Sequence, residues 1–122
     1  MPRTPQPIIA PLGPFPTLPV GALALDFVFT AADDVNLDDF IFTGRELILI
    51  NNTTGGALTI TLTSAPDPQG RSADIAAYSV GAGLFSMFWA GSLIGWQQTD
   101  RKFHLEASAV GVEFAIVRIP AA

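Results

Sequence analysis

The sequence predicts an all-β fold, a single antiparallel β-sandwich or jelly roll of seven or eight short strands behind an extended proline-rich arm. Three observations carry this expectation. Apolar and polar residues alternate with period two in several runs of about six residues. Clusters of Gly, Asn and Pro separate those runs at the spacing of short strands. No segment shows the 3.6-residue periodicity of a helix that buries one face.

The arm comes first. Seven of the ten prolines fall within residues 1–20, at positions 2, 5, 7, 11, 14, 16 and 19. Proline fixes φ and removes a backbone donor, so residues 1–22 are expected to join neither a helix interior nor a central strand. At about 3.1 Å per residue, an extended arm of this length reaches on the order of 60 Å. It is also apolar, unlike a solvated tail. Pro11, Leu12, Pro14, Phe15, Pro16 and Leu18 are the arm residues expected to meet a partner. An arm of this kind implies that deleting residues 1–20 leaves the body folded. Its Pro-x-x-Pro spacings have no Arg or Lys close by, which weakens a reading as a peptide ligand for an aromatic groove.

The body is expected to span residues 23–122. In Leu25-Asp26-Phe27-Val28-Phe29-Thr30 the leucine and both phenylalanines share one face. Ala31–Asp39 reads as an acidic loop, followed by Phe40-Ile41-Phe42-Thr43. Leu47–Ile50 is apolar on both faces, as in a central strand. The Asn51–Gly56 turn leads to Leu58-Thr59-Ile60-Thr61-Leu62-Thr63, the clearest alternation in the chain. Ile75–Val80 and Leu84–Ala90 flank Gly81-Ala82-Gly83 as a hairpin, and Gly91–Gly95 is a loop. Lys102–Ala107 and Val112–Ile119 complete the set before Pro120.

Composition limits the function. At 122 residues the chain is one domain that can bury a core without staples. Hydrophobic residues make up 49% and charged residues 14%, well under the usual quarter. Such a chain is expected to turn apolar surface toward a partner. The net charge is −5 and the bases are scattered, which excludes the cation cluster that nucleic acid requires. Without cysteine there is no disulfide, thiolate metal site or cysteine nucleophile. The N-terminus lacks the apolar core of a signal peptide. Ala76–Trp96 is long and apolar enough to raise a membrane span, but its glycine turn and serines argue against one.

No constellation carries chemistry, and the sequence predicts neither an enzyme nor a cofactor or metal site. His104, the one histidine, sits on the polar side of its strand between Lys102 and Glu106. An exposed strand residue near a carboxylate is the favoured reading. Asp34, Asn36 and Asp38 resemble the start of a calcium loop, but its sixth and twelfth positions hold Asp39 and Arg45. The nucleophile elbow and the phosphate-cradling loop are both missing. The aromatics are more informative. At strand spacing Phe85, Met87 and Trp89 face one way, and Leu84 and Phe88 the other. Trp89, Leu93, Ile94 and Trp96 are the candidate interface residues of the body, because tryptophan anchors interface centres.

Several segments together resemble a known group. Phe42–Thr53, the threonine strand Leu58–Thr63, Asp74–Ser79 with its glycine turn and Phe114–Pro120 follow one another as in small head decoration (cement) proteins of tailed bacteriophages. The resemblance implies a capsid protein on the outer surface of the virion, made in the host cytoplasm. It implies a homo-oligomer, a trimer in particular, that binds the major capsid protein and stabilises the shell. Two alternatives stand beside it: a tail or head–tail connector component, and a carbohydrate-binding β-sandwich module with Trp89, Trp96 and Tyr78 as its sugar platform.

Overall fold

The alternating runs become strands in the computed structural model, which describes residues 3–11 and 27–119. The strands are β1 (Thr4–Pro5), β2 (Ile8–Ile9), β3 (Thr30–Ala31), β4 (Asp38–Ile41) and β5 (Glu46–Asn52). They continue as β6 (Leu58–Thr63), β7 (Ile75–Val80), β8 (Phe85–Trp89), β9 (Lys102–Ala107) and β10 (Val112–Arg118). The described residues contain no helix.

The fold is all-β, with two mixed sheets. One runs β1-β4-β9-β6-β7; the other runs β2-β10-β5-β8, with β3 also paired to β10. Long strands pair antiparallel, as expected, whereas β1 joins β4 and β2 joins β10 in parallel. The purely antiparallel expectation is corrected at these two pairs.

Alternation explains the core. Along β5 every second residue is buried, and Ile48 and Ile50 point the same way. β9 buries Phe103, Leu105 and Ala107, and β10 buries Val112, Phe114 and Ile116. These side chains join Phe40, Phe42, Ile60, Leu62 and Val80 in one hydrophobic cluster fed by both sheets. Phe40 stacks on Phe103 at 5.3 Å, and Phe42 meets the same ring edge-on at 5.3 Å. Aromatic pairs of this geometry contribute about 0.5–1.5 kcal/mol beyond area burial.

Three expectations change. First, the arm is not free of the sheets over its described part: Thr4 and Pro5 pair with Asp38 and Asp39, and Ile8 and Ile9 with Ile116 and Val117. Proline is tolerated because both strands take edge positions, where a missing donor disrupts no ladder. Leu12, Pro14, Phe15, Pro16 and Leu18 lie outside the described residues.

Second, β4 begins at Asp38, inside the expected acidic loop, and Phe27–Phe29 are not strand. The inward Asp38 is tolerated because its carboxylate accepts the Asp33 amide at 3.0 Å and the Gln6 side-chain amide at 2.9 Å. Third, β7 and β8 are not a hairpin. The Gly81–Leu84 turn, closed by Leu84 N–H to Gly81 O at 3.0 Å, carries the chain from one sheet to the other.

Candidate protein-binding surface

β7 and β8 end their respective sheets, and among the described residues each pairs on one side only. The stretch that forms them carries no charge between Asp74 and Asp100. Edge strands commonly carry lysine, proline or a bulge to discourage pairing. β8 has neither a lysine nor a proline. β7 has a register shift where it meets Ile60 and Leu62, with Ala77 at φ 52°.

The register across β5 fixes which side chains β8 displays. Phe85, Met87 and Trp89 oppose Asn51, Leu49 and Leu47. Ile48 and Ile50 are core, so this odd-numbered set faces outward. Phe85 is 68% exposed, Met87 73% and Trp89 49%. Phe88 points the other way and packs on the core. The two-faced reading therefore holds for Phe85–Trp89, whereas Leu84, expected to share the inward face of Phe88, precedes the strand and is exposed. Gly91, at φ +70°, lets the chain fold back beneath Trp89, where an added Cβ would come within 2.9 Å of the indole Nε1.

Because β7 and β8 belong to different sheets, an apolar cleft of 640 Å³ opens beside them. Ile60, Leu62 and Ile75 line it together with Leu49, Met87 and Phe88, and Phe27, Phe29, Tyr78 and Phe85 contribute further apolar surface. Its volume and apolar lining fall in the range of small-molecule binding clefts. His104 and the carboxylates are not among its lining residues.

The interface residues expected from sequence divide in two. Trp89, Leu93 and Ile94 are exposed, and Pro11 is exposed where the described N-terminal segment ends. Trp96 is half-buried and turned inward: it stacks on Phe103 at 5.5 Å and meets Phe88 edge-on at 4.9 Å. That position corrects its expected role as a surface anchor. It also removes one member of the expected sugar platform. The loop that holds it is pinned by Gln97 Nε2 to Phe42 O at 3.0 Å and by Gln98 Nε2 to Ser64 O at 3.0 Å.

The sheet that ends in β7 also carries a polar group. Asp39 and His104 are register partners on β4 and β9. His104 Nε2 lies 3.1 Å from Asp100 Oδ2, and Lys102 Nζ lies 3.5 Å from Asp39 Oδ2. Burial works against ionisation of Asp100, but the His104 ring and the Lys102 amide outweigh it and hold its carboxyl below the ordinary range.

Sequence reading missed the cleft, because a glycine turn between two strands gives no sign that the strands join different sheets. It also missed the polar group, which only the β4–β9 register assembles. No helix among the described residues is long and apolar enough to cross a membrane. Comparison with family models, characterised proteins and solved structures finds no match for the chain.

Proposed function

We propose that this chain is a non-catalytic structural subunit that binds other proteins: a decoration protein on the outer surface of a tailed-phage head, self-associating and gripping the major capsid protein. The observation that carries the reading is the uncharged β7–β8 side, with Phe85, Met87 and Trp89 exposed above an apolar cleft. A monomer gains nothing from displaying so much aromatic surface in water, whereas an assembly subunit buries it against a neighbour.

The strand order supports a finer fold reading. Taking the eight strands β3–β10 in chain order, the sheets run first-eighth-third-sixth and second-seventh-fourth-fifth. That interleaving is the order of two nested Greek keys wrapped into a jelly-roll sandwich, an architecture used by capsid and lectin domains. The shared core cluster is what two face-to-face sheets produce. Fold-level likeness alone does not give a function, so the weight rests on the exposed face.

Co-sedimentation with heads of a phage that carries the protein tests the reading. The wild-type chain is expected in the head fraction, and Met87→Glu, which puts a charge in the middle of the apolar face, at the top of the gradient. A wild-type chain that stays at the top would overturn the proposal. Co-sedimentation with tails instead of heads would move the subunit to the tail.

A further inference from the structure

We propose that Asp39, Asp100 and His104 form a divalent-cation site, with a donor set matched to Zn²⁺. One ligand atom from each residue lies within 4.8 Å of the other two. The topology holds two of them in place. Asp39 and His104 sit directly opposite in the β4–β9 ladder, so their side chains share one face of the sheet. Asp100 comes from the tight turn just before β9 and reaches His104 Nε2 at 3.1 Å.

A second observation points to a cation ligand. Asp39 is only 3% exposed, yet among the described residues its Oδ1 has no hydrogen-bond partner. Buried carboxylate oxygens are almost always satisfied, because desolvating one without compensation is costly. Lys102 Nζ, at 3.5 Å from Oδ2, partly neutralises the group but leaves Oδ1 unmatched.

An imidazole nitrogen and two carboxylate oxygens suit zinc, which binds them at about 2.1 Å in tetrahedral geometry. Donors on one zinc are then roughly 3.4 Å apart. His104 and Asp100 are already 3.1 Å apart, and the Asp39 ligand atom lies within 4.8 Å of both. Three protein ligands leave a fourth position for water. Other charges near the group are Lys102, Arg118, which lines one pocket with Asp39 and Lys102 but pairs with Glu46, and Glu106 and Arg3, which pair with each other at 3.0 Å. Lys102 is therefore the ion's competitor for Asp39. A bound ion would tie the loop before β9 to β4 and stabilise the folded chain by mass action.

Titration of the untagged full-length chain with zinc chloride, followed by calorimetry and by melting temperature, tests the site. The wild type is expected to take up one ion per chain and to melt higher with zinc. The visible spectrum of the cobalt form is expected to show tetrahedral coordination. His104→Ala, at a partly buried position, is expected to weaken uptake at least tenfold and to lose the zinc-dependent rise in melting temperature. Lys102→Gln is expected to tighten uptake. No saturable uptake by the wild type, equal uptake by His104→Ala, or unchanged or weaker uptake by Lys102→Gln would each overturn the assignment.

Discussion

Asn52 is fully buried, and both ends of its amide are engaged. Nδ2 donates to Gly56 O and Val80 O, each at 2.9 Å, while Oδ1 accepts the Thr54 amide at 3.0 Å and its hydroxyl at 2.7 Å. One side chain thus closes the β5–β6 turn and fastens the end of β7, next to the apolar face. Asn52→Leu leaves those groups unmatched and is expected to cost about 2–3 kcal/mol in urea unfolding. Asp38 works in the opposite sense. Burial pushes its carboxyl above the ordinary value, and the bonds from Gln6 and the Asp33 amide only partly offset this. A carboxyl raised in the folded state favours folding while protonated, and that contribution is lost as pH rises through its folded value. Asp38→Asn is therefore expected to melt higher than wild type at pH 7, with the gap closing as the solution is acidified. Asp33 shows the reverse dependence. The Thr4 hydroxyl, with the amides of Asn36 and Val35, lowers it to about 2. Its contribution is present above the ordinary carboxylate range and disappears as pH falls toward that value.

Among the elements, β1 and β2 most change the picture of the molecule. The N-terminal segment holds the edge of each sheet and is further anchored by Arg3, which donates to Asp38 O at 3.1 Å and pairs with Glu106 at 3.0 Å. Ile8 packs against the core cluster. Removing residues 1–11 is therefore expected to lower unfolding stability by about 3 kcal/mol or more, from lost apolar burial and unpaired edges. Unchanged stability would return this segment to the role of a free arm. Proline content misled here because it rules out central strands but not edges. Elsewhere the period-two pattern was sufficient. The threonine strand β6, the two-faced β8 and the alternating β9 and β10 all lie where the sequence put them, since one buried face leaves no freedom of register. Turn residues said that the chain reverses at Gly81–Gly83, but not that it changes sheet there.

At the scale of the whole molecule, half of the candidate surface was legible. Trp89 with Phe85 and Met87 follows from strand alternation, and the uncharged stretch marks where contact with a neighbour costs least desolvation of charge. Trp96 misled because composition cannot tell an interface tryptophan from one stacked on a core phenylalanine. The cleft, like the group of Asp39, Asp100 and His104, arises from long-range pairing that no local pattern encodes.

The central claim is that the β7–β8 side joins this chain to neighbours, and the solution mass at neutral pH by light scattering tests it most directly. The wild type is expected as an assembly, a trimer of three times 12.9 kDa, that Met87→Glu dissociates without lowering its melting temperature. A wild-type chain that stays monomeric across concentrations, or an assembly that Met87→Glu leaves intact, would contradict the account.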